Sequence, residues 1–147
     1  MAIKNSRIDK MRYQKNTSAY TLVLVAMIFQ TISLFSTITP SSVIPSLTTA
    51  IEILINITLL LFTFLAAEKV KTYSKNWAYG LIVISFVHFL RLFYEPLKVL
   101  RLNQISGRQY GFIVFEIVVS IAFLVIASVI TIDKHQKLMT HLKGLGE

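Results

Sequence analysis

Apolar residues in this chain gather into four long runs, with polar residues recurring inside them at helical spacing. A helix needs about 20 mostly apolar residues, each rising about 1.5 Å, to cross a bilayer. Residues 19–39 meet this length without a charge. Residues 46–67 do so around Glu52 and Asn56, residues 77–94 around His88 and Arg91, and residues 110–132 around Glu116. A closed barrel would instead alternate apolar and polar positions over strands of about ten residues. The pattern therefore predicts an all-α, polytopic integral membrane protein: a four-transmembrane-helix bundle with short connecting loops. Residues 18–132 form the membrane domain, between tails at 1–17 and 133–147.

The connections carry their own signals. Pro40 and Pro45 bracket a Ser-rich turn, which pairs the first two spans as an antiparallel hairpin. Ser74 and Asn76 are candidate N-caps of the third span. Pro96 fits the first turn, and Gly107 the end, of a short surface helix over residues 96–106. There Leu97, Leu100, Leu102 and Ile105 are interspersed with Lys98, Arg101 and Gln104; an irregular loop is the alternative. The C-terminal tail, with Leu138, Met139, Leu142 and Leu145, extends the fourth helix until Gly144 and Gly146 end it. The first apolar run exceeds the roughly 7–15 residues of a signal peptide and has no small-x-small site before Pro40, so it reads as a retained helix.

Composition agrees with lipid as the solvent. Charged residues make up 15% of the 147-residue chain, against about 25% in soluble domains. The net charge of +8 sits at the ends of the apolar runs rather than on a basic stripe, which argues against a nucleic-acid partner. With no cysteine, disulfides and thiolate metal sites are excluded.

Lysine and arginine set the expected orientation. The N-terminal tail (Lys4, Arg7, Lys10, Arg12, Lys15), the second turn (Lys69, Lys71, Lys75) and the C-terminal tail (Lys134, Lys137, Lys143) carry eleven; the opposite side carries three, Lys98, Arg101 and Arg108. This places both termini in the cytoplasm, in a plasma membrane, with the N-tail drawn to anionic inner-leaflet lipids. Tyr13, Tyr20, Tyr73, Trp77, Tyr94 and Tyr110 fall at the expected interfaces.

Each span bears a polar stripe: Gln30, Ser33 and Thr37 after Ala26; Thr48, Glu52, Asn56 and Thr63; Ser85, His88, Arg91 and Glu95; Glu116, Ser120, Ala127 and Thr131. Stripes of this kind turn inward, away from lipid. Counting from the outer boundary puts Glu52 and Glu116 about 9 Å deep, Arg91 about 5 Å, and Gln30, Asn56 and His88 about 12 Å. The expected site is thus a cluster of Glu52, Arg91 and Glu116, with Asn56, His88 and Gln30 beneath.

Two readings of the cluster follow. In one, Arg91 forks between the two glutamates and fixes helix register. In the other, the surplus negative charge is met by a proton, a cation or a partner, with His88 as a relay. An enzyme is disfavoured: there is no H-E-x-x-H, no second intramembrane histidine and no phosphate-binding glycine loop. His135 and His141 lie six apart, which is not the spacing of a helical metal pair. No cofactor and no metal are expected. The layout resembles small bacterial multidrug-type transporters in size class alone. Those carry a glutamate in the first span, where this chain has none, so no residue transfers. The abundance of Lys, Ile and Asn suits an AT-rich bacterial genome. The leading expectation is a non-enzymatic accessory or assembly subunit of a larger membrane complex, or a self-associating protein. The alternative is a small homo-oligomeric proton- or cation-linked transporter using the cluster.

Overall fold

The computed structural model describes residues 15–38, 47–101 and 105–143. They form four helices and no strand: α1 (Thr17–Ile38), α2 (Leu47–Val70), α3 (Lys75–Arg101) and α4 (Gly107–Lys143). All four are long and apolar enough to cross a membrane, as a multi-pass protein requires. The amphipathic reading of residues 1–14, the Pro40–Pro45 turn, Leu102, Gln104, the stop at Gly144 and Gly146, and the side chains of Thr48 and His141 lie outside the described residues.

Successive helices pack as antiparallel neighbours. α4 closes the ring, lying most extensively against α1 and α3, while α2 touches α1 and α3 more sparsely. Close approach is possible because the facing residues are small. Ala19 and Ala26 on α1, Ala66 and Ala67 on α2, Ala78 on α3 and Ala127 on α4 are all fully buried. Small side chains let membrane helices gain van der Waals contact that lipid cannot supply. Val23, Val70, Leu81 and Leu124 complete this core, and Val99, Ile105, Ile113 and Ile117 form a second cluster between α3 and α4. Exposed aliphatic and aromatic residues such as Phe35, Leu54, Phe62, Phe86 and Phe115 cover the outside, as a lipid-facing surface should.

The predicted stripes face inward. Gln30, Ser33, Asn56, Thr63, Ser85, His88, Glu95, Glu116, Ser120 and Thr131 are buried. Ser74 holds the cap position of α3, its carbonyl accepting from Ala78 N (3.1 Å), whereas Asn76 lies inside the first turn.

The surface helix over residues 96–106 does not form as a separate element. α3 runs without a break through Pro96 to Arg101. Proline removes one donor, leaving the Leu92 carbonyl without its helical partner, a loss that membrane helices tolerate where neighbours re-satisfy the backbone. Pro96 is itself buried. Gly107 begins α4 rather than ending a helix, because Ser106 supplies a capping box: Ser106 Oγ accepts from Gln109 N (3.3 Å) while Gln109 Oε1 accepts from Ser106 N (2.9 Å).

Candidate functional site

Three hydrogen bonds fix the heights of the helices. Asn16 N donates to the Lys71 carbonyl (2.9 Å), tying the start of α1 to the end of α2. Ser120 Oγ donates to the Ala26 carbonyl (3.3 Å), and Ser128 Oγ to the Ala78 carbonyl (2.8 Å), tying α4 to α1 and α3. One turn beyond the Ser120–Ala26 contact, away from the termini, the antiparallel pair brings Glu116 and Gln30 to one level. The same counting puts Asn56 at the level of Gln30, and Glu116 between the heights of His88 and Arg91. The six residues expected to cluster therefore share the half of the bundle remote from the termini, except that Glu52 lies a turn farther out.

Their pairing differs from the expected fork. Arg91 does not bridge Glu52 and Glu116. Its Nη2 meets Glu95 Oε2 at 2.5 Å within α3, and its Nη1 lies 3.3 Å from His88 Nδ1. A guanidinium only donates, so Nδ1 accepts and the imidazole proton sits on Nε2. Glu52 pairs with Lys98 Nζ at 2.5 Å, across α2 and α3. Asn56 Nδ2 donates to Glu95 Oε1 (3.3 Å), linking the two ion pairs. The physical reason is the continuity of α3. With residues 94–101 helical, Arg91, Glu95 and Lys98 rise on one face, and a cation that a loop would have carried away reaches Glu52.

Glu116 is left over. It is 1% exposed, and neither of its carboxylate oxygens has a hydrogen-bond partner. The other buried side-chain atoms without partners among the described residues are Gln30 Nε2 and Oε1, Ser33 Oγ, Asn56 Oδ1, His88 Nε2 and Arg91 Nε. Together with the Glu116 oxygens they lie in the same half and come from all four helices. Each unmade bond costs about 1–3 kcal/mol, more where charge is involved. A cleft of about 40 Å³ in this half is walled by Leu34, Thr37, Glu52, Asn56, Glu95 and Lys98, and of the residues with unpartnered atoms Asn56 alone lines it. A water needs at least about 10–15 Å³, so the space suits waters or a small ion rather than an organic solute.

The terminal half is organised around Asn16, which the sequence reading passed over. It is fully buried; its Nδ2 donates to Thr131 Oγ1 (3.0 Å) and the Val70 carbonyl (3.4 Å), and its Oδ1 accepts from Lys134 Nζ (3.0 Å). One side chain thus joins α1, α2 and α4. His135 Nδ1 lies 2.9 Å from the Tyr73 carbonyl, a residue held in the left-handed region at φ 61°. A pocket of about 370 Å³ opens at this end, lined by Lys15, Lys134, Lys137, Tyr73 and Leu138 among others. A signal for Asn16 was present: a small polar residue directly before the first apolar run occupies an N-cap, and its carbonyl accepts from Tyr20 N (3.1 Å).

Comparison with family models, with curated proteins and with solved structures yields no match, so the reading rests on the residues themselves.

Proposed function

We propose that this protein is a small, non-enzymatic, proton- or cation-linked membrane transporter whose coupling site is centred on Glu116. The observation that carries the reading is the enclosure of an ionisable side chain with no partner among the described residues. A carboxylate in that position costs several kcal/mol unless a proton or a cation neutralises it. The two nearby ion pairs, Arg91–Glu95 and Lys98–Glu52, are internally balanced, so the surplus charge belongs to Glu116. Because Glu116 is sealed inside the bundle, a small ion reaches it more readily than a charged side chain of another subunit. This favours a carrier over an assembly subunit whose charge completes a partner's.

The tails and the second turn, with eleven of the fifteen Lys and Arg residues, support cytoplasmic termini in a bacterial plasma membrane. The lysine-lined pocket at that end supports contact with anionic lipid. The accessory-subunit reading retains one argument. α2 is held along a narrow strip of Asn56, Thr63, Ala66, Ala67 and Val70, leaving broad apolar flanks for lipid, a second copy or another membrane subunit.

Reconstitution into liposomes containing pH-sensitive and alkali-ion-sensitive dyes tests the proposal. Ion uptake by the wild type and its loss in Glu116→Gln, with the helical circular dichroism retained, are the expected results. Uptake unchanged by that substitution would sink the carrier. Co-purification of a stoichiometric membrane partner in mild detergent would transfer support to the accessory reading.

A further inference from the structure

Gln30, Ser33, Asn56 and Glu116 are 5%, 2%, 5% and 1% exposed, and between them present five oxygen atoms without a hydrogen-bond partner. Facing these five acceptors, the unused hydrogens of the four residues are those of the Gln30 amide, the Ser33 hydroxyl and the second N–H of Asn56, and His88 Nε2 and Arg91 Nε are unpartnered donors in the same half. Ser33 is the odd one among the buried hydroxyls. Thr63, Ser85 and Thr131 donate to the carbonyl four residues back, and Ser120 and Ser128 to a neighbouring helix; the Ser33 hydroxyl does neither. Asn56 gives its Nδ2 to Glu95, which turns its Oδ1 the other way. The heights of the helices put Gln30, Asn56 and Glu116 at one level, with Ser33 on the next turn of the same face of α1.

The geometry points to a site for one dehydrated alkali-metal cation, sodium or potassium, held by the Glu116 carboxylate with the side-chain oxygens of Gln30, Ser33 and Asn56. This inference rests on the transporter reading and names the ion that the carrier takes. Hard oxygen donors are the ligands that replace the hydration shell of such an ion. One formal negative charge matches one positive charge; a divalent ion would leave a buried excess. No group of three His, Cys, Asp or Glu side chains stands together among the described residues, so a transition-metal site does not compete. Nor, among the described residues, does an internal cation. Arg91 gives Nη2 to Glu95 and Nη1 to His88, keeping Nε alone without a partner, and the Lys98 ammonium is held by Glu52. A proton on Glu116 would neutralise the charge but give the remaining oxygens no shared ligand. A cation drawn to the Glu116 carboxylate can take the amide and hydroxyl oxygens as ligands as well.

The test uses the purified full-length protein in detergent, with its melting temperature followed in sodium, potassium or choline chloride at equal ionic strength, beside equilibrium binding of radioactive sodium. The expected result is a saturable rise in melting temperature with an alkali cation and none with choline. Ser33→Ala, a change small enough to leave the fold intact, should weaken that cation's affinity by about tenfold or more, as loss of a supporting group at an ion site does. Glu116→Gln should abolish the response. Identical melting in all three salts, with liposome proton uptake still dependent on Glu116, would overturn the cation site and leave the transporter reading standing. Identical melting together with uptake indifferent to Glu116→Gln would overturn both.

Discussion

The two halves of the bundle handle buried polarity in opposite ways. At the terminal end a single side-chain amide, Asn16, meets the buried Val70 carbonyl at the close of α2, the Thr131 hydroxyl and the Lys134 ammonium. Fully buried alanines seat the helices tightly around it. The remote half carries two balanced ion pairs and, beside them, six residues with unfilled hydrogen-bonding capacity. A satisfied network rigidifies a core, whereas a partly satisfied one is costly. The terminal half has the character of an anchor, and the remote half that of a partly unsatisfied polar core, which suits the carrier we propose.

The largest effect expected is at Arg91. Its side chain and that of Glu95 are 12% and 11% exposed, so Arg91→Ala strands a buried carboxylate. Breaking a buried pair in this way costs about 3–5 kcal/mol, to be read from unfolding in mixed micelles. A loss below about 1 kcal/mol would mean that water already reaches Glu95 in the native protein. Asn16→Ala comes next. It removes three side-chain hydrogen bonds at one stroke and should cost about 2 kcal/mol or more. If hydrogen exchange at the ends of α1, α2 and α4 is unchanged in that variant, Asn16 is no anchor. Lys98→Met should matter less, about 1 kcal/mol, because the Lys98 and Glu52 side chains are 29% and 25% exposed at the mouth of the cleft. The smallest effect belongs to Tyr73→Gly. Relief of the left-handed backbone is set against the added freedom of glycine in the unfolded chain, leaving a shift within about 1 kcal/mol of either sign. A loss well beyond that would mark the Tyr73 ring as part of the basic pocket's structure.

The four spans were legible because length and apolarity alone decide them, and the inward stripes because helical spacing puts Gln30 with Ser33 and Glu116 with Ser120 on single faces. Partner choice was not. Counting residues gives depth but not which side of a helix faces which neighbour, so Arg91 and the two glutamates looked like one cluster when Glu95, four residues along, was the nearer acid. Pro96 misled for a related reason. The same residue type starts a helix on the surface and is tolerated within one in a membrane, and the two cases differ only in what surrounds the freed carbonyl. With the third span expected to end near Tyr94, Lys98 falls in a separate surface helix or loop, and Glu52 is left to Arg91. Ser106 and Gln109 spell out a capping box at the start of α4, a signal the apolar pattern overshadowed.

The contrast between the halves is tested most directly by melting Glu116→Gln beside Asn16→Ala in choline buffer at alkaline pH, where neither an alkali cation nor an abundant proton supports Glu116. If Glu116 is an unpaired charge held for a small ion, Glu116→Gln melts several degrees above the wild type while Asn16→Ala melts well below it. A Glu116→Gln protein that melts below the wild type would show that the carboxylate already has its partner within the chain, and the account of the remote half would fail.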